Sequence, residues 1–421
     1  MNTASTIKTD NNYNNNIIII GGGAAGMLAA VSASGKGFTV TIIEKNNQTG
    51  KKLAITGKGR CNVTNNCTEQ EFLENVVSNP KFLIKAAYRF PPAKVMEFFE
   101  SLGVPLKTER GRRVFPVSDK ASDICTALEK KLSECGVNII KGEVNEILHD
   151  NGRVSGIRYF SSDGTNTVPA RSVILAAGGM SYPKTGSDGG GYRLASRLGH
   201  TVITPRPSLV PLVTKERWPG ELTGLSLKNV NVSFERNGKV LFSEQGEMLF
   251  THFGVSGPLV LSGSAYVKSF PADMYIDMKP ALSNETLDAR LLADFEEFKN
   301  KDFINALDKL LPKAIIPAVA ALSGIDGRKK INSVTKSERT KLAALLKAIP
   351  LTITGPRPVD EAIITSGGVK VSEVNPSTME SKLVGGLYFA GEVLDIDCYT
   401  GGYNLQAAFC TGFLAGENAA K

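Results

Sequence analysis

At 421 residues the chain is too long for a single small module, and at roughly 100 to 200 residues per domain it predicts two or three domains. Apolar residues at 42% and charged residues at 21% allow a sizeable core and exclude a disordered, collagenous or coiled-coil bulk. A net charge of +8 is compatible with an anionic partner, and no apolar run reaches the roughly 18 residues expected of a membrane-spanning helix.

The opening stretch, 1–16, is polar and Asn-rich without a hydrophobic signal core, which predicts a disordered lead-in to a cytoplasmic protein with no membrane association. The apolar run Ile17 to Ile20 then leads into a glycine cluster, the small helix formers Ala24 to Ala33, a second strand Phe38 to Ile43, and Glu44. This is the strand, turn, helix, strand order of a doubly wound α/β sheet. Residues 46–66, rich in Gly, Lys, Asn and Thr, read as an extended loop, and helical patterns follow at about 80–102 and 121–135. Between Val137 and Leu175 the dipeptides Asn151-Gly152 and Asp163-Gly164 are hairpin signals. Short strands punctuated by Pro and Gly over 206–280 predict an inserted antiparallel, barrel-like β domain, and 281–350 a basic helical segment. The α/β core is therefore expected to be split into 17–205 and 351–421.

Gly21-x-Gly23-x-x-Gly26, placed between strand and helix, suits a dinucleotide pyrophosphate: the glycines allow a tight turn, close approach of the phosphates and helix packing. Glu44, ending the next strand, can accept hydrogen bonds from an adenosine ribose. Replacing it is expected to weaken cofactor retention without unfolding the chain. The motif alone does not separate FAD from NAD.

The late segment Gly386-Leu387-Tyr388-Phe389-Ala390-Gly391-Glu392, followed by Thr400-Gly401-Gly402-Tyr403-Asn404 and a helix, resembles the flavin-side element of the two-dinucleotide-fold, glutathione-reductase-like flavoproteins. Glu392 stands where Asp is commoner, so the reach to the cofactor would use a longer side chain or a water. Three further stretches narrow the resemblance: Thr49 to Asn65 with its Gly59-Arg60-Cys61-Asn62, Ala176 to Pro183, and Phe250 to Pro258. Together with Gly391 to Asp397, they identify the chain as a member of the BaiN/YhiN family of bacterial FAD-dependent oxidoreductases. The resemblance implies a split Rossmann-like FAD-binding domain, an inserted β domain and a helical segment. It implies that Gly21, Gly23, Ala24, Ala25, Gly26, Glu44 and Lys45 lie at the adenosine and pyrophosphate, that Lys51 belongs to the cofactor-binding set, and that Val144 meets the adenine through its backbone. It sets Arg60, Cys61, Asn62 and Gly178 beside the cofactor. Gly391, Glu392, Gly402, Tyr403, Asn404, Leu405 and Gln406 would meet the ribityl chain and flavin ring.

The six cysteines contain no C-x-x-C pair, and with three histidines no metal site is expected. Cys61 and Cys67 are separated by five residues, unlike the C-x4-C redox pair of disulfide reductases, so Cys61 is read as packing beside FAD. His252 and Tyr182 are candidate catalytic proton donors, with hydrogen-bonded turn residues as the bland alternative.

The resemblance implies NADH or NADPH as hydride donor. It implies two acceptor classes: uridine of 23S ribosomal RNA, giving dihydrouridine, and small steroid-like bile-acid enones. Both are C=C bonds conjugated to a carbonyl, so each needs hydride at the β carbon, a donor for the enolate oxygen and a proton at the α carbon. Charge favours RNA. Seven Lys or Arg face two acids between Ser323 and Lys347, and five face two between Pro105 and Lys120. A solvated surface is the commoner origin of such patches. A non-enzymatic flavin-bearing RNA-binding or assembly protein is the remaining alternative, and the oligomeric state stays open.

Overall fold

Four consecutive isoleucines, Ile17–Ile20, can be buried on both faces only in the middle of a covered parallel sheet. That is where they lie in the computed structural model, which describes residues 15–421. Strand β1 (Asn16–Ile20) pairs in parallel with β2 (Thr39–Glu44) on one side, Ile17 opposite Val40, and with Ser172–Leu175 on the other, Ile17 opposite Ser172. The five-stranded parallel sheet runs in the order Leu387–Phe389, Ser172–Leu175, β1, β2, Asn138–Lys141. The predicted lead-in lies outside the described residues except at its end, where Asn16 already belongs to β1.

Helix α1 (Ala24–Ala33) is rich in small residues, and the reason lies in its neighbour, the final helix Tyr403–Ala419. A Cβ added to Gly412 would stand 2.2 Å from the Ala25 carbonyl oxygen, and one added to Gly416 would stand 2.1 Å from that of Ala29. Two glycines one turn apart thus let the helix backbones touch.

The loop read over 46–66 contains helix α2 (Lys51–Gly59), capped by Gly50 and broken at Thr56–Lys58, where Gly57 and Lys58 take positive φ. The break and the Gly, Lys and Thr content hide its periodicity. The helical pattern at 80–102 is two helices, Pro80–Arg89 and Pro92–Ser101, because Pro91 and Pro92 cannot continue the first. Asn151-Gly152 and Asp163-Gly164 turn a three-stranded antiparallel sheet of Glu143–Asp150, Arg153–Ser161 and Gly164–Pro169.

Two compact units emerge: one runs to Ser208 and resumes with Val359–Lys421, the other is Leu209–Pro358. In the second, six antiparallel strands close a barrel in the order Leu212–Thr214, Gly254–Ser256, Lys239–Thr251, Ser226–Arg236, Ala272–Asp277, Ile349–Pro356. The closing strand follows the helical segment, so residues 351–356 belong to the barrel and not, as the sequence suggested, to the returning α/β segment. Alternation of Ile349, Leu351 and Ile353 toward the barrel core fixes that strand's place. Between the last two barrel strands lie helices Asn284–Glu297, Ile316–Ser323 and Lys336–Lys347. No helix among the described residues is long and apolar enough to cross a membrane.

Candidate functional site

The glycines after β1 have three different surroundings. Gly21 turns the chain at φ +103° while its N–H donates to the Ile43 carbonyl at 2.9 Å, and an added Cβ would lie 2.6 Å from the Ala176 oxygen. Gly26 faces the Gly21 carbonyl so closely that its Cβ would lie 1.9 Å away, which packs α1 onto the turn. At Gly23 a Cβ would meet nothing within 4 Å, leaving open space in front of the helix start. No side chain caps α1, so the first-turn N–H groups of Ala24 and Ala25 face that space without a side-chain acceptor and favour an anion there.

Glu44 ends β2 at the edge of this space. Its Oε2 accepts the Gly22 N–H at 2.7 Å, and its Oε1 accepts the Asn46 N–H at 2.8 Å and Asn46 Nδ2 at 2.7 Å. A carboxylate offers about four lone-pair sites, so Glu44 organises the turn with three and has capacity for one further donor. The Gly142 N–H donates to the Glu44 carbonyl at 2.9 Å, which brings the strand bearing Val144 beside it. Lys45 pairs with Asp188 at 2.8 Å, and Lys51 Nζ lies 3.4 Å from Asn46 Oδ1. A Cβ on Gly178 would lie 2.8 Å from Ser187 Oγ, so the 178–189 loop folds closely on itself.

Around Gly391 and the start of the final helix, several of the expected contact residues have partners within the fold. Gly391 sits under α1, where a Cβ would be 2.7 Å from Ala25 Cβ. Glu392 does not present a free carboxylate. Its Oε2 meets Lys52 Nζ at 2.6 Å, and its Oε1 accepts the Thr365 N–H at 2.8 Å and Ser181 Oγ at 3.0 Å. Gln406 is fully buried, accepting from Thr64 Oγ1 at 2.7 Å and donating to the Phe90 carbonyl at 2.8 Å, which commits its amide to the fold. Asn404 likewise clamps Cys398 and Tyr399 through its amide. Leu405 packs against the core, and the Tyr403 ring stacks on Phe72. Gly402 starts the final helix at φ +101°, with no room for a Cβ 2.3 Å from the Thr64 oxygen, and no side chain caps that helix.

Arg60 pairs with Glu109 and Asp119 and lies 4.1 Å over the Phe115 ring. Cys61 is fully buried at φ +58°, and burial pushes its thiol up to about 12, so it is a packed thiol rather than a nucleophile. Cys61 and Cys67 are both unpaired. Next to Cys61, Asn62 Oδ1 is buried without a hydrogen-bond partner. An orphaned acceptor in the cofactor motif, an open anion-favouring helix start and an acid-ended β2 all fit a bound dinucleotide. Tyr182 holds its loop through its carbonyl, which accepts from Thr185, while its hydroxyl has no partner among the described residues. His252 is exposed on the turn between two barrel strands, in the other unit.

Sequence reasoning did not single out Lys52, Ser181, Thr365 or Asn46. Lys52 and Glu392 are 340 residues apart, a separation no local pattern bridges.

A split Rossmann sheet with this glycine turn, open helix start and acid-ended β2 defines a protein of the dinucleotide-binding α/β class. The model of the HI0933-like protein Rossmann domain matches residues 15–418, and the chain belongs to that family. It is 34% identical to a 3-dehydro-bile acid delta(4,6)-reductase of Clostridium scindens, over 94% of this chain and 97% of the relative. It is 30% identical to a ribosomal RNA dihydrouridine synthase of Escherichia coli, over 93% and 95% respectively. Among solved structures, a 3-ketosteroid-delta4-(5alpha)-dehydrogenase from Rhodococcus jostii shares the fold, with a TM-score of 0.54, 16% identity and 99% of each chain covered.

Proposed function

We propose that the chain takes electrons from NADH or NADPH and, through FAD, reduces a C=C bond conjugated to a carbonyl, and that its acceptor is a uridine of 23S ribosomal RNA. The observation that carries the reaction class is the shared chemistry of the relatives' names. A delta(4,6)-reductase of a 3-dehydro bile acid and a dihydrouridine synthase both saturate a double bond polarised by a carbonyl. RNA is favoured by the net charge of +8 and by Arg328, Lys336 and Lys341, which are exposed and make no ion pair among the described residues.

In this reading the turn from Gly21 to Gly26 and the first turn of α1 hold the pyrophosphate, and Glu44 holds the ribose. Val144 lies at the adenine, and Gly391, Asn62 and the start of the final helix lie toward the flavin. FAD, when bound, supplies the two-electron carrier that no side chain provides. The uncapped start of the final helix favours negative charge at that end. Of the two candidate proton donors, Tyr182 is the better supported, because its hydroxyl has no partner among the described residues and its loop belongs to the same unit as the cradle. Tyr182→Phe should keep FAD and its reduction by nicotinamide while slowing transfer to the acceptor about a hundredfold or more.

A small steroid-like enone is the second reading, favoured by the 34% identity to the bile-acid reductase. Both are tested by producing the chain in an Escherichia coli strain that lacks its ribosomal RNA dihydrouridine synthase. Mass spectrometry of 23S RNA nucleosides should regain dihydrouridine. If it does not, while the purified protein is reoxidised by a 3-oxo-4-ene steroid, the acceptor is the small enone.

A further inference from the structure

Four segments far apart in sequence meet around one ammonium group. Lys52 of α2 gives one N–H to Glu392 Oε2 at 2.6 Å and another to Ser181 Oγ at 2.7 Å. Glu392 is further held by the Thr365 N–H and by Ser181, and Thr365 Oγ1 accepts the N–H groups of Met180 at 2.7 Å and Ser181 at 3.0 Å. A Cβ on Gly179 would collide with this knot, 2.5 Å from Thr365 Oγ1 and 3.0 Å from Glu392 Oε1. The Lys52 and Glu392 side chains are 22% and 19% exposed, so both charges are largely withdrawn from solvent, where fields reach further than at a surface.

The location gives the pair its meaning. Glu392 follows Gly391, which packs against the first turn of α1, and Ser181 lies on the loop leaving the strand Ser172–Leu175. The pair therefore stands beyond the carboxyl ends of two parallel strands, the edge at which open α/β sheets receive ligands. An ammonium has three N–H groups, and two are used here.

We infer that Lys52 and Glu392 form a fixed, mutually compensating charge pair beside the FAD held in this cradle, each offsetting the bias the other would place on its redox potential, a step that rests on the FAD reading above. Two-electron reduction leaves negative charge on a flavin ring unless a further proton is taken up. A nearby fixed positive charge favours the reduced form, and a nearby fixed negative charge disfavours it. With both present the two effects largely cancel. Removing either one exposes the other, so the two single variants shift the potential in opposite directions. A purely structural knot has no such sign: loosening it weakens the hold on oxidised and reduced FAD alike.

The test is the midpoint potential of FAD bound to wild type, Lys52→Met, Glu392→Gln, the double variant and Lys52→Arg, each titrated anaerobically against a reference dye. Lys52→Met should lose about tenfold in preference for reduced over oxidised FAD, which is about 30 mV downward for a two-electron couple. Glu392→Gln should move upward by a similar amount, while the double variant and Lys52→Arg stay near wild type. Shifts of the same sign, or unchanged potentials in variants that keep FAD, overturn the inference alone. A wild-type chain that takes up no FAD overturns it together with the cofactor reading. Lys52→Arg and the double variant guard against mistaking misfolding for an electrostatic effect, because each restores charge balance.

Discussion

Glu44 organises the turn with three protein donors on one carboxylate, and in the proposed reading the same carboxylate also receives the ribose. Its three protein donors, Gly22 N–H, Asn46 N–H and Asn46 Nδ2, mean that Glu44→Ala does more than remove a ribose contact. The expectation that such a variant loses only cofactor affinity therefore changes: leaving the buried Gly22 donor unsatisfied costs about 1 to 3 kcal/mol, so thermal stability of the FAD-free protein should fall as well. Glu44→Gln, which keeps acceptor capacity, should recover part of the stability. Equal melting temperatures for Glu44→Ala and wild type without FAD would contradict this account. His200 is a second residue with a measurable signature. It is buried, with Nε2 2.9 Å from Ser381 Oγ and Nδ1 3.4 Å from Glu373, a contact outside hydrogen-bond alignment. Burial holds its imidazole below the usual histidine range, with the Glu373 charge offsetting part of that. The unfolded chain then takes up the proton first, so this contribution is complete above the unfolded value of about 6.5 and is lost as pH falls toward the lower folded value. Urea midpoints of wild type should drop more between pH 7 and 5.5 than those of His200→Gln, and parallel profiles would count against it.

At the scale of elements, the contact between α1 and the final helix is the feature most exposed to a single atom. Gly416→Ala drives a methyl into the Ala29 carbonyl, a backbone atom that cannot rotate away, and should cost about 1 to 3 kcal/mol with a loss of FAD as α1 shifts. Gly355→Ala is the control, since nothing lies within 4 Å of its added Cβ. Similar denaturation midpoints for the two variants would show that the helices are not in backbone contact. The β1, turn, α1, β2 unit was legible because glycine spacing, apolar runs and a terminal acid all carry local signals. Helix α2 was not, because a nine-residue helix with a break inside leaves no apolar period to read. Asn404 and Gln406 were placed at the flavin by the family resemblance, which says nothing of what their side chains hold within the fold. Only the fold reveals Cys398, Thr64 and Phe90 as their partners. The Gly412 and Gly416 pair was not singled out in the sequence, because its spacing does not say which helix it meets.

For the whole molecule, charge must be counted after internal pairing. Lys329 is held by Glu338 at 2.7 Å, Lys330 by Asp302 at 2.8 Å, Arg339 by Asp288 at 2.8 Å and Lys347 by Asp277 at 2.6 Å. These cations brace the helical segment, so a basic run in the sequence overstates what is free to meet phosphates. Arg328, Lys336 and Lys341 remain exposed, and replacing all three with Ala should reduce the salt dependence of RNA binding by up to about 2.7 in the slope of log K against log salt. An unchanged slope would remove this face from RNA binding. The existence of a β insertion was readable from strand punctuation, whereas the order of the parallel sheet was not read from the sequence. Closure of the barrel by Ile349–Pro356 was not, because that strand arrives only after the helices. The most direct test of the central claim, that this cradle holds FAD and receives electrons from a nicotinamide, is the anaerobic visible spectrum of the purified chain during titration with NADH and NADPH. The account predicts a flavin band that bleaches with one of them. A colourless protein, or a flavin band that neither nucleotide bleaches, would contradict it.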